Sequence, residues 1–416
     1  MIIDAGSGPL RILLTGGRSP VALELARLLR AAGHLVYAAE SAPYHLCRVS
    51  SAIERSFALP SPIDDLDGFS RTLREIASEY AIDALIPTCE EIFHVSRELQ
   101  RFEGVCRVLA PPLDQLERLH HKGKFIREAE RAGLRVPATE LVESPDSWLR
   151  LLDDPRFAQG IVLKPAYSRF ASRTLAFDLR RRSLSEKDRR ETIRKLAEAH
   201  ASPGSPWIAQ ELLRGEEWCT YSVAHGGTLV AHAAYRSRFR AGRGASIHYE
   251  PADQPRLLAW VSRFVQQSGF TGQIAFDFMI SPEGIAMPIE CNPRATSGIL
   301  LFGAEDRLAE AMLSPARILA EGTIVAPSAT SGETGRGAML SLAMLSYGLG
   351  QAVRRRMLRE WLRAYRNGRD AVYRRDDPGP FAEQLRLLAW TWRVARRRGI
   401  TMQEASTSDI EWNGER

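Results

Sequence analysis

Cysteine is scarce in this 416-residue chain, and the five that occur, Cys47, Cys89, Cys106, Cys219 and Cys291, are scattered and form no C-x-x-C pair. An odd, dispersed set speaks against a disulfide framework or a zinc site and for a reduced, cytoplasmic setting. No apolar run approaches the roughly 20 residues needed to cross a bilayer. The opening Met-Ile-Ile-Asp-Ala-Gly-Ser-Gly lacks the basic segment and apolar stretch of a secretory leader. A persuasive Ser/His/Asp or Cys/His set for covalent catalysis is missing too. Lysine is absent from residues 348–399, where 14 arginines stand against five acids, so the net charge of +6 belongs to one tail. That distribution does not describe a nucleic-acid-binding core. What is there is ordinary for a folded protein, 44% apolar and 25% charged. The length calls for two or three domains.

The most informative stretch is residues 273–298. Ile274, Phe276, Phe278 and Ile280 alternate with Ala275, Asp277 and Met279, the period of a strand. Ser-Pro-Glu-Gly at 281–284 is turn chemistry, and a second alternating run sets Met287, Ile289 and Cys291 against Pro288, Glu290 and Asn292. Folded as a hairpin, Asp277 falls near Pro288, with Glu290 opposite or one diagonal step away, roughly 5 to 8 Å off on the same face. Two carboxylates and an amide oxygen gathered so suit magnesium that also grips phosphates. Arg294 follows where its fork could hold a phosphoryl group. The plainer alternative is a hairpin with a solvated acidic face. Cys291 points to the apolar side and reads as packing.

The rest divides in order. A strand over residues 10–15, Gly16-Gly17, a helical pattern to Gly33 and a strand ending at Glu40 begin as a dinucleotide fold does, although G-x-G-x-x-G is incomplete. Further parallel strands are expected at residues 84–88 and 105–109. Adjacent His120 and His121 diverge on a helix and read as exposed or capping side chains, not ligands. Lys164 ends an apolar strand, where burial is costly without an anion. A charged helix is expected over residues 180–195, an edge-like strand over 207–213 and a basic, glycine-rich loop at 236–244. Residues 326–337 read as a linker. Three helix-like segments follow, the last with Leu385, Leu388, Trp392 and Ala395 in a stripe. Packing of that stripe against the body is the default expectation. Contact with an anionic membrane surface or a protein partner is the alternative.

Lys122 ahead of Gly133 and Pro137, Val-Leu-Lys-Pro at 162–165, Gln-Glu-Leu-Leu-x-Gly-x-Glu at 210–217, Asp277, and Ile-Glu-Cys-Asn-Pro-Arg at 289–294 occur in one order. In that order the chain resembles the ATP-grasp ligases, in the branch of carbamoyl-phosphate synthase and biotin carboxylase, over about residues 10–319. The resemblance implies a mixed α/β and α+β architecture. An N-terminal parallel α/β domain would span residues 1–112 and an ATP-grasp domain 113–325, its lobes dividing at 205/206. A linker and basic helical extension would fill 326–416. It also implies ATP and Mg²⁺, or Mn²⁺ in its place, as cofactors. Lys122 and Lys164 would hold phosphates, with Ser168 and Arg169 helping from the flap. Glu211, Leu212 and Leu213 would read adenine, and Glu217 the ribose. Asp277, Glu290 and Asn292 would carry the metal, and Arg294 and Lys164 would act in catalysis. Arg236, Arg238, Ser297 and Gly298 are candidates for the substrate pocket. One departure is a flap, residues 167–174, without glycine.

The expected activity is ATP-dependent joining of a carboxylate to an amine through an acyl phosphate, in the cytoplasm or at the inner membrane surface, with no nucleic acid involved. The resemblance favours a homodimer. The rivals are an inactive ATP-binding sensor or scaffold, suggested by the glycine-poor flap and basic tail, and a nicotinamide oxidoreductase built on the first βαβ unit.

Overall fold

The computed structural model describes residues 8–142, 144–151, 153–167, 174–178, 190–191, 194–195, 206–242, 244–328 and 337–414. Ser168, Arg169, most of the charged segment 180–195 and most of the linker lie outside them.

Apolar β1 (Arg11–Thr15), β2 (Leu35–Glu40) and β4 (Ala84–Ile86) form the middle of a five-stranded sheet, with β3 (Arg55–Ala58) and β5 (Arg107–Val108) at its edges. All its pairings are parallel, so both faces need covering. The Pro20–Ala31 helix covers one face. It opens on a proline, Ser19 accepts the Val21 amide hydrogen, and every residue from Val21 to Leu29 is buried. The turn before it is tightly packed. A side chain on Gly16 would meet the Thr88 hydroxyl at 2.5 Å. Arg18 is tied to Glu40 at 2.5 Å and to Asp409, from the far end of the chain, at 2.7 Å. The acid at the end of β2, where a dinucleotide fold would read a ribose, is engaged by an arginine, which disfavours the oxidoreductase reading.

Two further sheets carry the remainder. β6 (Thr139–Val142), β9 (Trp207–Glu211), β7 (Ile161–Pro165) and β8 (Leu175–Phe177) make a four-stranded antiparallel sheet in that order. β9 therefore lies inside the sheet, bonded on both sides, and not at the edge its mixed composition suggested. The larger sheet runs β16 (Ala286–Asn292), β15 (Gly272–Ile280), β10 (Glu216–His225), β11 (Thr228–Arg236), β14 (His248–Pro251), β17 (Ala338–Met339) and β18 (Arg369–Asp370). The Pro255–Ser268 helix ends on left-handed Gly269 (φ 58°). It packs Trp260 and Phe264 on Phe276, with ring centroids 5.4 and 5.3 Å apart.

The last two strands of that sheet come from the C-terminal extension, which also clamps the N-terminal helix. Arg27, buried, holds Asp377 at 2.9 Å, while Asp377 accepts from Ser50 Oγ at 2.7 Å and from the Ser51 amide at 2.9 Å. Glu24, fully buried, receives Arg369 and Arg374 at 2.7 and 2.6 Å. The sequence stripe is turned around. In the Gly379–Arg398 helix Pro380, Glu383, Thr391 and Ala395 are buried, whereas Leu385, Leu388 and Trp392 face solvent. Among the described residues no helix is long and apolar enough to cross a membrane. Removing one member of a buried ion pair leaves the other uncompensated. Asp377→Ala should therefore cost about 3 to 5 kcal/mol, read as a lower denaturation midpoint and faster proteolysis of the extension.

Candidate active site

Between the four-stranded and the seven-stranded sheet lies a cleft of 540 Å³. Its floor is the β15–β16 hairpin, in which Asp277 sits directly opposite Glu290; a bulge follows at Asp277/Phe278. Asn292, two residues beyond Glu290, opens on the same cleft, as a strand period of two requires. Asp277, Glu290 and Asn292 are thus brought together. Lys122 begins the Lys122–Arg131 helix and reaches Glu290 at 3.4 Å. Lys164 Nζ, in β7, donates to Gln210 Oε1 at 2.9 Å and to the Ile289 carbonyl at 3.2 Å. Arg294 donates to Asn292 Oδ1 at 3.3 Å and lies 4.0 Å from fully buried Glu90, at the carboxyl end of β4.

The charges explain one another. Burial works against the Asp277 carboxylate, Glu290 adds repulsion, and its pKa rises well above the usual range. Glu290, like Asp277, is partly buried, yet Lys122 and Lys164 outweigh the desolvation and hold its pKa below the usual value. Burial lowers Lys164 to about 8, with Glu290 and Asp277 opposing the shift and Lys122 reinforcing it. The two lysines settle Glu290 but leave the pKa of Asp277 raised, and a divalent cation between the two carboxylates would favour the ionised form of both. Two carboxylates and one amide oxygen are too few for an all-protein cage. Among the described residues no group of three or more His, Cys, Asp or Glu is placed to hold a metal ion by itself. Magnesium is held in just this way, by one or two carboxylates with phosphates and water completing the shell.

Of the other expected residues, Glu211, Leu212 and Leu213 line the cleft where β9 leaves its sheet, and Glu217 and Ser297 line it too. Glu217 is ion-paired with Arg240. Ser168 and Arg169 lie outside the described residues. Arg236 and Arg238 do not face this cleft. They line a neighbouring 1050 Å³ recess, Arg236 over the Trp218 ring at 5.1 Å and Arg238 bonded to Glu250 at 2.9 Å. Gly298 does not reach the cleft either. A Cβ there would meet Tyr221 Cβ at 2.2 Å, so this glycine permits close packing.

Two residues not singled out from the sequence belong to the site. Gln210 orients the Lys164 ammonium and in turn donates to Thr139 at 3.2 Å. Cys219 pairs with Asp277 across β10 and β15. Burial raises its thiol far above the ordinary range and Asp277 adds to the effect, so it remains a neutral donor to that carboxylate. The strand register of β10 against β15 is the signal that would have found it. His120 and His121 are buried, not exposed. His121 caps its helix, its Nδ1 accepting from the Lys124 amide at 3.1 Å.

No family model and no curated protein matches the chain. Solved structures do. An N5-carboxyaminoimidazole synthetase from Staphylococcus aureus superposes with a TM-score of 0.56 at 13% identity, over 75% of this chain and 79% of that one. A phosphoribosylamine–glycine ligase from Thermotoga maritima gives 0.56 at 16%, over 76% and 78%. An L-amino acid ligase from Bacillus licheniformis gives 0.51 at 16%, over 70% and 69%. The fold is that of the ATP-grasp ligases.

Because Lys164 loses its charge as pH rises through about 8, the affinity of the cleft for an anion, probed with inorganic pyrophosphate, should fall across that range. Binding should take up protons there, which calorimetry in buffers of different ionisation heat measures. Lys164→Arg, which stays charged, should abolish the proton uptake.

Proposed function

We propose, with the ATP-grasp fold as premise, that the protein is an ATP-dependent ligase that activates a carboxylate as an acyl phosphate and couples it to an amine. The observation that carries this reading is the convergence of Asp277, Glu290, Asn292, Lys122, Lys164 and Arg294 on one cleft. Such a set has the charges needed to grip a nucleoside triphosphate at its phosphate end. The turn at Glu211, Leu212 and Leu213 supplies backbone groups for adenine, and Glu217, once released from Arg240, can accept from ribose hydroxyls.

A carboxylate resists attack because its charge is delocalised and oxide is a poor leaving group. Its oxygen attacks the γ-phosphorus, the bond to the β-phosphate oxygen breaks, and ADP departs. The amine nitrogen then attacks the acyl carbon, phosphate leaves, and the surplus proton passes to phosphate or water. Asp277, Glu290 and Asn292 would hold Mg²⁺ or Mn²⁺, which neutralises phosphate charge when bound. Lys122 and Lys164 hold the phosphates from the other side, and Arg294 offsets the charge of the group in transfer. This is catalysis by placement and charge compensation, with no covalent enzyme intermediate. The donor set is whole, which favours turnover over an inactive nucleotide-binding scaffold. The reading places the reaction in the cytoplasm, where MgATP is supplied, and allows a dimer.

The test is a screen of paired acids and amines for ADP release and product mass. Release should require both partners. Glu290→Gln should lower kcat by about a thousandfold while Cys291→Ala, on the far face of the same strand, retains it. ADP release indifferent to Glu290→Gln would remove the metal assignment.

A further inference from the structure

The C-terminal extension has an outer surface that the ligase reading does not use. Among the described residues twelve large apolar side chains stand exposed, and nine of them lie beyond residue 344, in about a sixth of the chain. The arginine-rich segment is the same one. On the Gly379–Arg398 helix Leu385, Leu388 and Trp392 are 56%, 43% and 50% exposed, and at 100° per residue they share an arc of about 60°. Arg396 lies over the Trp392 ring at 4.9 Å. Arg386, Arg393 and Arg397 follow along one flank of the stripe. The single acid from Ala382 to Arg398 is Glu383, which is buried, and it pairs with Arg386 at 3.2 Å. Arg393, Arg396 and Arg397 have no acidic partner among the described residues. The Leu358–Asn367 helix repeats the composition. It buries no residue and exposes Leu358 and Leu362 beside Arg359, Arg363 and Arg366.

We propose that this surface docks the protein on an anionic lipid bilayer, the Gly379–Arg398 helix lying in the interface with Leu385, Leu388 and Trp392 among the acyl chains. A Trp beside aliphatic residues suits the boundary between headgroup and hydrocarbon. Guanidinium groups along its flank meet lipid phosphates as point-by-point counter-charges. The opposite face of the helix is already committed to the protein body, so docking requires no unfolding. A second copy of the chain is a poor occupant, since it would bring the same uncompensated arginines into contact. The proposal goes beyond the ligase reading and is measured without turnover.

The experiment is co-sedimentation of the full chain with vesicles of phosphatidylcholine alone and of phosphatidylcholine with one-third phosphatidylglycerol. Binding is expected on the second kind only and should weaken as salt is raised. The double variants Leu385→Glu/Trp392→Glu and Arg393→Glu/Arg397→Glu should each lower the bound-to-free ratio tenfold or more, with far-UV circular dichroism and ADP release unchanged. Equal sedimentation with both vesicle types overturns the proposal, as does wild-type binding by both variants. So does a failure to bind vesicles accompanied by a dimer in light scattering that Leu385→Glu/Trp392→Glu dissolves, which would make the stripe a self-association surface. Failure to bind vesicles with capture by an acidic protein would assign it to that partner instead.

Discussion

Two carboxylates facing each other across adjacent strands, both partly withdrawn from water, are the constraint around which the cleft is built. Asp277 and Glu290 sit directly opposite, where like charges destabilise a hairpin. The surrounding chain is arranged to make the pair tolerable. A lysine begins a helix at Glu290, a second is steered by Gln210 from the other lobe, and a neutral thiol donates to Asp277. Lys122 and Lys164 settle Glu290 and leave Asp277 raised. In the proposed reaction a divalent cation would relieve both acids at once, so the repulsion between them and the affinity for the metal would have one origin.

The N-terminal sheet has the topology of a nucleotide binder but serves another purpose. Its crevice, at the carboxyl ends of β1, β2 and β4, is occupied by the chain's own tail. Arg18 joins Glu40 to Asp409, and Trp412 stacks on Phe93 at 4.7 Å between centroids, 3° from parallel. What this sheet offers the cleft is the end of β4, where Glu90 stands 4.0 Å from Arg294. A familiar arrangement of strands has become a wall of someone else's site.

Much of this was legible from residues. The alternation on either side of Ser-Pro-Glu-Gly placed Asp277 opposite Glu290 on one face, because a period of two and a tight turn leave little freedom of register. Lys164 announced itself by standing at the end of an apolar strand. Cys219 and Gln210 did not, since both sit in strands whose pairing partners are far away in sequence. Arg236 and Arg238 could not be placed for the same reason: a basic loop says nothing about which of two adjoining cavities it borders. The stripe on the last helix was seen but turned inside out. Periodicity identifies a face, and only the neighbours decide whether that face is covered; here Glu24 and Arg27 had already recruited the extension through Arg369, Arg374 and Asp377.

The extension reaches three separate parts of the molecule. It bonds the N-terminal helix through Asp377, and it grips the Arg240–Ala241 strand through Gln351 at 3.1 Å and Gln403 at 3.3 Å. Its Trp412 also meets Tyr167, which follows β7, with ring centroids 5.4 Å apart. One C-terminal brace thus holds the N-terminal sheet, the ribbon beside the cleft and the end of β7 in a common frame, and its loss would loosen all three together.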